Sequence, residues 1–175
     1  VEYSAFKYIA TLIIFIGVGV AQGRQPLLSF YNGRKDTDSI NRLMKYQYKT
    51  VCILIIPTIL LVMLLAKPAV MVFITSGAEL IDYSVYALRI FVTACVFSGF
   101  NIVMSNYFTS MERPARGALV SIGRCCIMLI VGIYVAVTVL GPDGIWWGMP
   151  ISEILTMAGA IIMYQRLNKE KVKNV

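Results

Sequence analysis

Five long apolar runs, each near the ~20 residues a helix needs to cross a bilayer, dominate this chain of 175 residues. They cover about residues 6–30, 46–66, 83–109, 117–140 and 145–164, and a shorter apolar piece, 69–75, follows the second. Lipid offers the backbone no hydrogen-bond partner, so such runs must satisfy their own N–H and C=O groups and fold as helices. The expected fold class is an all-α polytopic membrane protein with five transmembrane helices. Composition agrees: 58% of the residues are hydrophobic and 14% charged, against ~45–50% and ~25% in soluble domains. This balance excludes a disordered chain, a collagen-like fibre, a disulfide-stapled secreted domain and an ordinary soluble enzyme.

The net charge is +7, but the basic residues lie between the apolar runs. Membrane topology explains them, and no nucleic-acid partner is expected. The first connection carries Arg24, Arg34, Lys35, Arg42, Lys45 and Lys49; the third carries Arg113 and Arg116; the C-terminal tail carries Arg166, Lys169, Lys171 and Lys173. The second and fourth connections hold Glu79, Asp82 and Asp143, with Lys67 at their edge. Basic loops face the cytoplasm. The segment is therefore expected in the cell membrane with its N-terminus outside and its C-terminus cytoplasmic, and with Trp146 and Trp147 at the outer interface. The chain begins Val1-Glu2-Tyr3 and reaches its first apolar run within about ten residues, without the marks of a secretory signal. It is expected to be part of something longer.

Local signals refine this plan. Asn32-Gly33 is a turn signal, and Asp36 or Thr37 can cap the following helix. The segment 31–49 is basic and, over 39–49, amphipathic, so it is expected to lie along the cytoplasmic membrane surface before the second span rises. Pro57 is expected to bend that span, and Lys67 to snorkel to water. Gly19-x-x-x-Gly23 permits close helix approach in the first span.

No His is present, which excludes His-based proton relays, metal sites and catalytic triads. Cys52, Cys95, Cys125 and Cys126 lie inside apolar runs without zinc spacing and read as packing residues. Neither a nucleophile–base set nor a phosphate loop is present, so the chain reads as no enzyme and needs no cofactor. Ionisable groups inside a bilayer cost at least ~2.5–3.5 kcal/mol each, so each needs a reason. Glu153 lies about eight residues, or ~12 Å, into the fifth span. It is placed either to bind a proton or cation or to make a structural bond to a neighbouring helix. Pro150, three residues earlier, is expected to kink the helix and free a carbonyl. Arg124 and Arg89 lie nearer the interfaces, where they can snorkel, and where anion binding competes with packing or lipid contact. A buried Arg89–Glu153 pair is one arrangement the topology permits. Ser98, Asn101 and Ser105 share one face of the third span at i, i+3 and i+7, with Thr109 continuing it. Such a stripe either holds helices together or lines a wet cavity. Asn106 reads as a helix-end group.

The stretch from Gly17 to Lys35, GVGVAQGRQPLLSFYNGRK, resembles the C-terminal half of multidrug and toxin extrusion (MATE) transporters, at Gly19, Gly23, Gln25, Pro26, Leu27, Ser29 and Gly33. Three later pieces agree in order and spacing: Ala87-Leu88-Arg89-Ile90, Phe97-Ser98-Gly99-Phe100-Asn101, and Gly144-Ile145-Trp146 leading to Pro150-Ile151-Ser152-Glu153. The resemblance implies spans eight to twelve of a twelve-helix, two-lobe transporter of prokaryotic type, whose N-terminal lobe is the missing partner. It further implies export of small organic, often cationic compounds, driven by inward proton or sodium movement. Some members carry an acidic cation ligand in the helix matching the third span. Here no carboxylate lies between Asp82 and Glu112, which moves the expected cation pathway to Glu153 or to the missing half. Two alternatives remain: a lipid-linked oligosaccharide flippase of the same superfamily, and a non-transporting membrane scaffold whose basic helix binds anionic lipid.

Overall fold

The computed structural model describes the backbone of residues 2–72 and 77–173, and the side chains of 11–72, 77–142 and 144–167. Residues 73–76 of the shorter apolar piece, and the side chains of Asp143, Lys169, Lys171 and Lys173, lie outside the described residues. The elements in order are α1 (Glu2–Gly33), α2 (Thr37–Leu64), α3 (Ala66–Met71), α4 (Ala78–Ser110), α5 (Pro114–Ile122), α6 (Met128–Leu140) and α7 (Gly148–Lys173). A π-helical turn, Gly123–Ile127, carries α5 directly into α6, and a 3-10 turn, Pro142–Trp147, leads into α7. Five stretches are long and apolar enough to cross a membrane: Thr11–Gly33, Thr37–Leu64, Ala78–Ser110, Pro114–Leu140 and Gly144–Leu167.

α4 is the central helix. In its most apolar window 67% of residues are buried, against 33% or less in the other four spans. It packs against α1, α2, α3, α5 and α7, while α6 rests mainly on α7. The outer helices therefore turn large apolar side chains outward, among them Phe15 on α1, Leu60 on α2, and Ile130 and Tyr134 on α6. In water such a surface would be an aggregation hazard; in a bilayer it is solvated by lipid tails.

Small residues set how closely the helices approach. A Cβ on Gly17 of α1 would sit 3.4 Å from the Cα of Gly99 on α4, and one on Gly99 would meet Val51 and Ile55 of α2. α6 and α7 touch backbone to backbone: a Cβ on Gly132 would strike the Gly148 carbonyl oxygen, and one on Gly148 would strike Ile133. Gly19 and Gly23, the pair expected to provide close approach, have nothing within 4 Å. The contact is made by Gly17 because it shares the inward face of α1 with Ile13 and Ala21, whereas Gly19 and Gly23 are exposed.

Several other expectations are corrected. The amphipathic segment does not form a separate surface helix. It is the first part of α2, because a single buried stripe of Ile40, Met44, Gln47, Val51, Ile55 and Ile59 runs through it into the span. Asn32 and Gly33 remain in α1; the chain turns at Arg34 and Lys35, with Lys35 at φ 57° and the Asp36 N–H closing the helix on the Tyr31 carbonyl. Arg24 likewise belongs to α1, where it donates to Thr50 Oγ1 of α2 at 2.8 Å.

Asp36 caps α2 as expected, its carboxylate accepting from the Ser39 N–H at 3.0 Å. That bond holds the Asp36 carboxyl below its ordinary value of 3.8. A lowered pKa stabilises the folded state fully above the unfolded value, and the contribution is lost as pH falls through the folded value. Asp36→Ala is expected to fray the first turn of α2 at neutral pH, read as faster amide exchange at Ser39 and Ile40. Equal exchange in the two proteins would show that the cap does not hold this turn.

Candidate functional site

Ser98 and Asn101 lie one turn apart on α4, on the side that meets α7. Glu153 lies opposite, six residues into α7, and is 2% exposed. The Ser98 hydroxyl donates to Glu153 Oε1 at 2.5 Å, and Asn101 Nδ2 donates to Oε2 at 2.7 Å and to the Glu153 carbonyl at 3.0 Å. The fourth member is Arg124, whose Nη1 lies 3.5 Å from Glu153 Oε1 and donates to Ser98 Oγ at 3.2 Å. Ser98 thus stands between the guanidinium and the carboxylate: it accepts from one and donates to the other. Two side chains of α4 and one of the α5–α6 connection hold a single buried carboxylate of α7.

The local backbone explains how Arg124 reaches it. Arg124 sits in the π-helical turn Gly123–Ile127, a wide turn that re-aims side chains and recurs at functional sites. Its side chain is 20% exposed. Of the readings the sequence left open for Arg124, the geometry agrees with packing, because the guanidinium is turned inward onto Ser98 and Glu153. Arg89, the other candidate partner, is exposed on α4. Pro150 falls in the first turn of α7, where a proline's missing N–H costs the α-helix no bond of its own.

The polar stripe of α4 divides in function. Ser98 and Asn101 hold Glu153, whereas Ser105 donates to the Gly117 carbonyl at 2.9 Å and pairs with Ser121 Oγ at 2.8 Å, fastening α5 to α4. Gly117 makes this possible, since a Cβ there would lie 2.9 Å from the Ser105 carbonyl oxygen. Thr109 and Asn106 bond back to their own helix. Asn106 therefore lies within α4, which continues to Ser110.

Asn101 has a second role. It also lines a cavity of about 490 Å3 between α2 and α7, with α4 as its floor. Its Oδ1 is buried without a hydrogen-bond partner, because both polar contacts to Glu153 use Nδ2. A buried orphan acceptor is rare and costly. Here it stands beside the carboxylate, in the one side chain that touches both the charge network and the cavity.

Of the residues in the matching N-terminal stretch, Gly19, Gly23, Pro26, Leu27, Ser29 and Gly33 are exposed and Gln25 is half-buried. They form no part of the Glu153 network. The pair that sequence reasoning missed is Arg124 with Glu153. Its signal was present, as opposite charges deep in two consecutive spans, but the register of the fourth span hid it.

A family model described as MatE matches residues 3–142. Among solved structures, the chain is similar to an outward-facing multidrug resistance MATE family transporter of the MOP superfamily, with 19% identity and a TM-score of 0.85. It is similar to an inward-facing one at 18% identity and a TM-score of 0.87, and to a MATE protein in complex with MaL6 at 18% and 0.85. Each match covers 99% of this chain but only 39–40% of the solved one. Among curated proteins nothing matches.

Proposed function

Because the chain belongs to the MATE family of membrane transporters, we propose that it forms most of one lobe of a secondary active exporter. In this reading small organic, often cationic compounds leave the cell in exchange for protons or sodium ions. The missing N-terminal lobe completes the central cavity, and the chain's N-terminus lies outside with its C-terminus in the cytoplasm. The observation that carries the reading is Glu153. It is an acidic side chain buried in a bundle built for lipid, held by three side chains from other elements, one hydrogen bond from a cavity.

Such a network has two states. With Glu153 ionised, the carboxylate accepts from Ser98 and Asn101 and balances Arg124. A proton on Glu153 cancels the charge that Arg124 pairs with and turns one acceptor oxygen into a donor, to which a rotated Asn101 amide would present its orphan Oδ1. A cation at the carboxylate competes with Arg124 in the same way. Either event biases the α4–α7 contact and the π-helical turn. Rocking of rigid lobes supplies the rest of alternating access. Its support here is that one and the same five-span segment superposes equally well on outward- and inward-facing relatives.

The flippase reading gains nothing from the site, since Arg124 is committed to Glu153 and only Lys45 lends the cavity positive charge. The scaffold reading loses its motive, because its surface helix is part of a span. In the intact protein, Glu153→Gln is expected to keep membrane insertion, as Gln can still accept from Ser98. It should weaken dye efflux driven by a proton or sodium gradient by at least about tenfold, a modest share of the ~10²–10⁴-fold that a positioned proton-transfer group contributes. Unchanged efflux would remove Glu153 from the mechanism.

A further inference from the structure

The cavity between α2 and α7 is not an aqueous slot. Met44, Met104 and Met157 contribute flexible thioethers from three different helices, and Tyr48 stacks on Phe100 with centroids 5.5 Å apart. Thioethers adapt to irregular apolar bodies, and about 490 Å3 is an ordinary volume for a ligand site. Among its polar lining residues, Asn41 and Lys45 are exposed and stand one turn apart on α2. At 100° per residue, Arg42 and Lys49 continue from Lys45 along one flank of the same helix, and both are exposed. No carboxylate lines the cavity among the described residues. An occupant thus needs an apolar body and a polar end that is anionic; a cation would meet Lys45 with nothing to balance it.

The geometry points to a lipid site: an anionic phospholipid, with its phosphate at Lys45 and Asn41 and an acyl chain lying between α2 and α7 over α4. The membrane supplies this ligand at the right depth, because Lys45 stands where the basic end of α2 passes into its apolar stretch. The site shares its cavity with the export reading but asks for an anionic ligand rather than an exported cation. It touches the same network through Asn101, so an acyl chain packed there would bear on the side chain that holds Glu153.

The test is native mass spectrometry of the intact protein in detergent, with phosphatidylglycerol or phosphatidylcholine added in separate titrations. Wild type is expected to retain phosphatidylglycerol in preference to phosphatidylcholine. Lys45→Glu should lower phosphatidylglycerol retention by at least about fivefold, the effect of one basic residue at an anionic surface. Lys35→Glu makes the same change in net charge at a residue that does not line the cavity, and should leave retention unchanged. Ala160→Trp, which fills the cavity wall, should lower retention of both lipids. Equal losses from Lys35→Glu and Lys45→Glu would overturn the site, leaving only a diffuse basic surface. Equal retention of the two lipids by wild type would overturn the headgroup contact. Retention of neither would show that a neighbouring segment of the intact protein, or a second copy, fills the groove.

Discussion

Arg124→Met is expected to destabilise the helix bundle by about 3–5 kcal/mol, the cost of leaving a buried charge without its partner. Glu153 is 2% exposed and cannot turn to water, whereas Ser98 and Asn101 supply dipoles but no charge. Met roughly matches the length of the Arg stem, so lost packing contributes little. The asymmetry of the pair sharpens the prediction. Arg124 keeps 20% of its side chain exposed and still donates to Ser98 Oγ at 3.2 Å, so Glu153→Gln leaves a less buried charge than Arg124→Met does, and should cost less. The double variant Arg124→Met with Glu153→Gln should recover most of the loss, because removing both charges removes the desolvation penalty as well. Denaturant unfolding of the intact protein in detergent, run on all four members of the cycle, measures this directly. A double variant as unstable as Arg124→Met alone would mean that the π-helical turn needs Arg124 for its own packing, with Glu153 a bystander.

The same pair shows where the sequence was legible. Span count and identity followed from length and hydropathy, because the bilayer sets a fixed length and excludes other backbone conformations. Glu153, Ser98 and Asn101 were visible as polar groups where lipid penalises them, and the spacing of Ser98 and Asn101 placed both on one face. Their partner was hidden for a geometric reason. Arg124 stands nearer the N-terminal end of the fourth span, and hydropathy does not say which way its side chain turns. The π-helical turn adds a further rotation that no hydropathy pattern records. α2 was misjudged through composition: charges at Arg42, Lys45 and Lys49 resemble a surface helix, yet the buried stripe from Ile40 to Ile59 never breaks. In both cases helix phase carried the information, and average polarity obscured it.

Glycine spacing taught the same lesson and leads to the other large effect. Gly132→Val is expected to separate α6 from α7, with a loss of at least about 1–3 kcal/mol, the usual range for overpacking a well-filled contact. A Cβ at Gly132 lies 2.9 Å from the Ser152 backbone nitrogen and runs into the Gly148 carbonyl oxygen, so the obstruction is main chain and cannot swing aside. The facing residues Gly144, Gly148 and Ser152 recur every four positions, and Gly132 and Ala136 answer them across the interface. This is the small-residue pairing that membrane helices use where lipid leaves no hydrophobic force to join them. Ser152 directly precedes Glu153, so a shift of α7 by even part of a turn would pull the carboxylate from Ser98 and Asn101. Gly132→Val should therefore lower both unfolding stability and gradient-driven efflux. Gly159→Ala, in the same α7 but with nothing within 4 Å of its Cβ, should leave both near wild type. If Gly132→Val kept full stability and full efflux, the α6–α7 contact would not be what positions Glu153, and Ser98, Asn101 and Arg124 would suffice to hold it.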